Sequence, residues 1–505
     1  MKILLVSPCS NKDIFDRSFM SPPLGVLRLA GFLSGRGHQA KYFDLNLQRV
    51  TAPNYGLEEV LVEDDWDIIG FSLLDETLLN DLEGIHLARK LQPNARLVAG
   101  GIEAQFNYQT VLDKTPCEIV ILGEGEIPMM MIANGDPLHE IPGIAFKNNA
   151  KPLSAELFNE ATNAIDWEDI PYEEYWDYYV NKYGSKLTDE IEEEINTVRI
   201  YSRNRCPIAC KFCSSTNQLT WGAGVNVPVI SASSDSLISV IDRIVETHPR
   251  VKTVYLTDDD FCINKREVIR FCEKVVERNY TDLSFMCFAR VTDLTEELLD
   301  WMKKANFRRL NIGVDSFSDE VLVEMGKRCN TEQIHRGLKM TKKYGIRPFM
   351  NLILITPETT LDQLEVTVTE GLEYARDPFY DAGLHLAIMP LKGSEFNEMY
   401  WDFQSSVEKI PGTEKLIRRD EMIWANDPTV REIQRRYTEE SAEHVKAEAE
   451  RLEIIHENSA NLGVLRLEFM LSLIQDAKIT SSPFREASPT AIKSGKPILD
   501  RVQRQ

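Results

Sequence analysis

The chain has 505 residues, 43% hydrophobic and 27% charged, a globular balance that excludes whole-chain disorder and collagen-like structure. Its 57 Lys and Arg against 79 Asp and Glu leave a net charge of −22, which disfavours nucleic acid and anionic membrane as partners. No apolar run approaches a membrane-spanning length, and the run after Met1 is too short for a secretory signal, so a cytoplasmic protein is expected.

Residues 3–7 read as a first strand, 22–33 as a helix and 40–45 as a second strand. Residues 67–72 are a third strand, and 78–91 a helix closed by Pro93. Residues 96–99 then enter Gly100-Gly101, and 118–122 enter Gly123-Glu124-Gly125-Glu126. Strands alternating with helices predict a doubly wound, Rossmann-like parallel α/β sheet over residues 1–150. Ligands of such sheets sit beyond the carboxyl ends of the strands. Ser72, Gly100, Gly101, Gly123, Glu124 and Gly125 stand at those ends. Glycine there lets a ligand approach the backbone, although each also suits a tight strand-to-helix turn. His38 follows Gly37 at a helix end, where histidine complements the terminal carbonyls, and is read as structural.

Residues 151–195 read as a connector. Trp167, Pro171, Tyr172, Tyr175 and Trp176 are expected to pack between domains, and the acidic run 189–194 to form an exposed helix.

A strand at 197–202 leads into Arg203-Asn204-Arg205-Cys206-Pro207-Ile208-Ala209-Cys210-Lys211-Phe212-Cys213. A structural zinc site needs four protein ligands, and no fourth Cys or His lies nearby. Three thiolates on a tight loop leave one corner of a cubane 4Fe-4S cluster open, where an iron can bind a chelating small molecule. The other six of the nine cysteines have no ligand spacing and read as buried hydrophobes, with Cys329 set apart by its Lys327 and Arg328 neighbours. Further strands are expected at 253–257, 283–288, 309–314, 349–355 and 384–389, joined by helices such as 295–304 and 331–344. The pattern predicts a partial (β/α)6 TIM-type barrel over 196–400, with its chemistry at the carboxyl ends of the strands. Residues 401–475 read as charged helices within a mainly helical region 401–505, whose Ser/Pro/Lys-rich tail after Thr480 is expected to be disordered.

Ser21-Pro22-Pro23-Leu24-Gly25, Ile69-Gly70-Phe71-Ser72, Ala99-Gly100-Gly101, Gly123-Glu124-Gly125-Glu126 and Ile141-Pro142-Gly143-Ile144-Ala145 occur in that order. This series resembles the cobalamin-binding domain of B12-binding radical SAM enzymes, and the three-cysteine loop, with Phe212 before the third Cys, resembles their cluster motif. The resemblance covers residues 1 to about 400. It implies a 4Fe-4S cluster on Cys206, Cys210 and Cys213, with S-adenosylmethionine on the open iron, cleaved to a 5′-deoxyadenosyl radical. It also implies cobalamin at the first sheet, held without a protein histidine, since residues 13–25 contain none. Arg205 departs from the family, which usually has Gly before the first Cys.

The same resemblance puts the 258–260 run where S-adenosylmethionine's amino group is contacted, with Asp258 and Asp259 the candidates. A helix-capping role is the plainer reading of that run. Arg290 would partner the methionine carboxylate, and Asp315, where relatives often have Glu, would accept from ribose hydroxyls. Pro357-Glu358-Thr359-Thr360 and Pro390-Leu391-Lys392-Gly393-Ser394 look like family landmarks near the adenine and the barrel end. The implied activity is cobalamin-dependent methyl transfer to an unactivated carbon of a small metabolite or peptide, with an electron donor such as flavodoxin or ferredoxin. The alternatives are radical oxidation, cyclisation or rearrangement without methyl transfer, with or without cobalamin, and a non-catalytic iron-sulfur protein.

Overall fold

Seven strands build the first sheet: β1 (Lys2–Val6), β2 (Gln39–Phe43), β3 (Ile68–Ser72), β4 (Arg96–Gly100), β5 (Ile119–Ile121), β6 (Ile144–Phe146) and β7 (Asn149–Ala150). They lie in the order β2-β1-β3-β4-β5-β6-β7 in the computed structural model, which describes residues 1–10, 19–147, 149–150, 164–215, 228–400, 403–452 and 460–481. The first five are parallel, and β6 and β7 close one edge antiparallel. The central strands are apolar on both faces because both are covered. Leu4 and Val6 pack with Phe71 and Leu97 on one side, and Ile3 and Leu5 with Ile68 and Val98 on the other. The order reverses direction between β1 and β3, which opens a crevice at their carboxyl ends.

The second sheet has six strands, β8 (Thr197–Ile200), β9 (Thr253–Leu256), β10 (Ser284–Ala289), β11 (Phe307–Asp315), β12 (Arg347–Ile355) and β13 (Asp381–Ala387). All are parallel, in simple sequence order, and β8 does not pair with β13. This is the expected partial barrel. Phe271, Phe285 and Phe307 pack edge-on and tilted beneath its outer helices.

Helix α1 (Leu24–Ser34) and the connector helix α2 (Tyr172–Tyr183) join the sheets. A Cβ on Gly31 of α1 would lie 1.7 Å from the Ala164 carbonyl oxygen, so only glycine allows this approach. Trp167, Tyr172, Tyr175 and Trp176 are buried in one cluster with Leu27 and Leu47 of the first unit and the barrel's core, as expected. Asp44 caps the helix after β2 and accepts the Tyr175 hydroxyl as well.

The acidic run is a helix, α3 (Asp189–Ile195), but not a free solvated one. Glu190 pairs with Arg347 at 2.9 Å, Glu193 with Arg308 at 2.9 Å and Glu194 with Arg309 at 2.8 Å, so the helix closes the amino end of the barrel.

The C-terminal region is mainly helical, with α4 (Pro428–Arg451) and α5 (Ala460–Ser481). Its start corrects the all-helical reading of 401–475. A hairpin of β14 (Phe403–Lys409) and β15 (Leu416–Ile423) comes first, turning through Gly412 at φ 72°. Its Ile410 and Ile417 are buried in the core of the first sheet, a distant contact that overrides local propensity. The Ser/Pro/Lys-rich tail lies almost wholly outside the described residues.

Candidate active site

A cavity opens at the carboxyl ends of β1, β3, β4 and β5. Ser72, Gly100, Gly101, Gly123, Glu124 and Gly125 all line it, together with Gly25 and Gly70. Gly101 and Gly123 have φ of 91° and 97°, in the left-handed region that glycine adopts without strain. At Gly101 a Cβ would meet the Leu73 carbonyl oxygen at 2.7 Å. The opposite wall is Tyr201, Arg203 and Asn204, the residues that lead into Cys206.

One residue that the sequence did not single out ties the two walls together. Arg28 of α1 is buried, pairs with Glu126, lies 3.9 Å from Glu124 and stands over the Tyr201 ring at 5.6 Å. Burial pushes the Glu124 carboxyl up to about 7, against the pull of Arg28. The cavity fits a corrinoid's flat, amide-fringed periphery, because glycine floors it and polar groups rim it. At about 290 Å3 it takes one lobe of so large a ligand. Among the described residues no histidine lines it.

The cysteine loop is suspended from several elements. Ser202 donates its backbone N–H and its hydroxyl to Asp258, each at 2.8 Å. Arg203 donates to the Asp260 carbonyl at 2.6 Å and to the Ser231 hydroxyl at 3.0 Å. Further on, the Lys211 N–H donates to Met325 and the Lys211 carbonyl accepts from Phe396, both at 3.0 Å. Ala209 holds φ 60°, a left-handed position for a non-glycine residue, so the loop is fixed by its surroundings.

Cys206, Cys210 and Cys213 are free and half-buried. Burial pushes the Cys206 thiol up to about 12 and that of Cys213 up to about 11, protons that a cluster iron displaces on binding. Among the described residues no three Cys, His, Asp or Glu side chains converge on one ion. A cubane has no need of that, since each thiolate takes a different iron.

The three aspartates of the 258–260 run part company. Asp258 is buried and committed to Ser202. Asp259 is exposed and accepts the Ser215 hydroxyl. Asp260 is 2% exposed, and neither of its carboxylate oxygens has a hydrogen-bond partner. Burial, with Asp293 beside it, pushes Asp260 up to about 7.

Arg290 donates to the Lys327 carbonyl at 2.7 Å and lies 3.8 Å from Asp293, leaving its Nε without a partner. Asp315, at φ 62°, is buried and ion-paired with Lys327. Lys327 also stands 5.9 Å over Phe212, inside the cysteine loop. The segment 325–327 is therefore a strap across that loop, and it carries no motif by which the sequence could reveal it. At the far end of the interface Lys392 pairs with Glu103 at 3.1 Å. Phe106 packs so closely on Gly393 that a Cβ there would lie 2.4 Å from the ring.

Two family models match the chain, the B12 binding domain over residues 15–133 and the radical SAM superfamily over residues 200–370. A Pyrococcus horikoshii protein named as a methyltransferase is 24% identical over 73% of this chain and 77% of its own length. The anaerobic magnesium-protoporphyrin IX monomethyl ester cyclase of Cereibacter sphaeroides is 23% identical over 75% of this chain, which spans 60% of that relative's length. Among solved structures, the radical SAM methyltransferase TsrM of Kitasatospora setae aligns with a TM-score of 0.61 at 16% identity, covering 81% of this chain and 79% of that one. The cobalamin-dependent radical SAM enzyme OxsB aligns with a TM-score of 0.68 at 14% identity, covering 95% and 74%. These likenesses extend the fold match across both sheets. With both family models found in the order the sheets require, the chain belongs to the radical SAM enzymes that carry a B12-binding domain.

Proposed function

We propose that the chain is a cobalamin-dependent radical SAM methyltransferase acting on an unactivated carbon of a small molecule or peptide. The observation that carries this reading is the shared cavity, walled by the glycine-rich strand ends of the first sheet and by Tyr201, Arg203 and Asn204 of the cluster strand. Cys206, Cys210 and Cys213 would hold the 4Fe-4S cluster, and Ser72, Gly100, Gly101, Gly123, Glu124 and Gly125 would seat cobalamin. When bound, cobalamin supplies a methyl group, and the cluster with S-adenosylmethionine supplies a 5′-deoxyadenosyl radical.

The chain's own residues place and shield these groups. Asp260, rather than Asp258 or Asp259, has carboxylate oxygens that no protein donor occupies, and it would accept from the amino group of S-adenosylmethionine. Arg290 keeps one N–H for its carboxylate. The Asp315–Lys327 pair would set the cluster loop's position rather than take the ribose. The two sheets are drawn together by Arg28 over the Tyr201 ring and by the Lys392–Glu103 pair, one link on each side of the space between.

The test is anaerobic reconstitution with iron, sulfide and hydroxocobalamin, followed by metal counting. About four iron and one cobalt per chain support the reading. A subsequent substrate gain of one methyl mass completes it. Four iron without retained cobalt would sink it.

A second reading has its own support. The cyclase relative is about as similar as the methyltransferase-named one. Radical cyclisation or oxidation would give 5′-deoxyadenosine with no methyl gain by the substrate.

A further inference from the structure

We infer that the lower interior of the barrel is the substrate's pocket, and that Arg199 receives an oxyanion of that substrate, a carboxylate or a phosphoryl group. The inference rests on the radical SAM reading only for what happens to the substrate after it is bound.

A second cavity, of about 490 Å3, lies between the inner faces of β8 to β12. That is the size of a small-molecule site. The α3 helix closes it below, and Phe19 and Met20, from the segment after β1, close it at the side. Alternation along the strands turns Arg199 of β8, Tyr255 of β9 and Met286 of β10 into the same space.

The arginines around this cavity are of two kinds. Arg308 pairs with Glu193, Arg309 with Glu194 at 2.8 Å and Asp381 at 3.2 Å, and Arg347 with Glu190 and Asp381. All four carboxylates are thereby hydrogen-bonded to these three cations. Arg199 is the exception. Among the described residues it pairs with no carboxylate; the Tyr255 ring lies 5.8 Å from its guanidinium carbon, and its charge also acts on the buried Tyr172 hydroxyl. Asn311 donates to the Tyr255 hydroxyl at 2.6 Å and so fixes that ring.

A half-buried cation without a counter-ion is costly unless a ligand supplies one. The Tyr255 face leaves the guanidinium's edge for an oxyanion that offers two oxygens, the geometry arginine takes in two parallel hydrogen bonds. Phe19, Met20 and Met286 make the wall beside it apolar, which suits a hydrocarbon or aromatic body on the same ligand. Arg199 is also the right distance from the chemistry. Tyr201, two residues along the same chain, about 7 Å at strand rise, already lines the cofactor cavity. A molecule held by its acid group at Arg199 and reaching about 7 Å along the strand would come level with Tyr201.

The test uses three probes with one body, 3-(4-fluorophenyl)propanoate, its phosphonate analogue and its neutral amide, titrated against the full chain and followed by fluorine NMR. The wild-type protein is expected to bind at least one of the two acids tenfold or more tightly than the amide. Which acid binds better tells carboxylate from phosphoryl. Arg199→Gln should bring the acid-to-amide ratio near one, Arg199→Lys should keep part of it, and Arg308→Gln, at the already paired rim, should leave it unchanged. Equal binding of acid and amide, no saturable binding of either acid, or a ratio that survives Arg199→Gln overturns the inference. Iron and cobalt counted on the same Arg199→Gln protein report on the cofactor reading separately, since they do not depend on this pocket.

Discussion

Asp258 and Ser202 form a two-point clasp, backbone N–H and hydroxyl of one residue on the two oxygens of the other, at 2.8 Å each. The clasp ties the end of the cluster strand to its neighbour four residues before Cys206. Hydrogen bonds to a charged acceptor contribute about 1.5–3 kcal/mol each. Asp258→Ala is therefore expected to cost about 3 kcal/mol in chemical denaturation and to lower iron retention on dialysis. Ser202→Ala, which keeps the backbone bond, should cost about 1.5 kcal/mol.

The cysteines separate by role. Cys206→Ala, Cys210→Ala and Cys213→Ala should each reduce reconstituted iron from about four per chain to near zero, because a cubane needs all three thiolates. Cys329→Ser should keep its iron. Colorimetric iron determination after anaerobic desalting checks both halves.

Lys327 and Asp315 are a buried pair, each under 10% exposed. Removing one partner strands the other, at about 3–5 kcal/mol, whereas replacing both by apolar groups is often near neutral. Lys327→Met should therefore be strongly destabilising, and Lys327→Met with Asp315→Leu much less so. A double-mutant cycle from urea melts measures the difference.

Glu124 gives a pH signature. A carboxyl raised from 4.5 to about 7 holds its proton more tightly folded than unfolded. Its contribution is fully present below about 4.5 and is lost as pH rises through 7. Glu124→Gln should flatten the fall in stability between pH 5 and pH 8 by on the order of 2 kcal/mol, leaving the variant the more stable at pH 8. Denaturation midpoints across that range are the measurement.

Much of the molecule is legible in the chain because local pattern and fold agree. The helices at Leu78–Leu91 and Thr331–Tyr344 have the expected ends, the first closed before Pro93 and the second capped in the structure by the Asn330 side chain, both local features. The glycine-rich strand ends meet in one cavity because a parallel sheet puts all its carboxyl ends on one edge. What was not legible depends on distant partners. Arg28 reads as one charge on an amphipathic helix until Glu126 and Tyr201 come to it. The residues of the 258–260 run are chemically alike, and only Ser202 and Ser215 distinguish which carboxylate is left over. The α3 acids look like a solvated face, yet their partners lie more than 100 residues away. The hairpin at 403–423 is charged enough to pass for helix, and its two inward isoleucines matter only because the first sheet lies beneath them.

Gly393 sets a gauge. With its α-carbon hydrogen facing the Phe106 ring and no room for a methyl, it fixes how near the two sheets come at that end of their interface. The approach of one sheet to the other is there limited by the thickness of one aromatic ring. A side chain at 393 would press on that ring and also force a left-handed backbone, φ 78°, that glycine alone holds without strain, so the gauge works only with glycine in place.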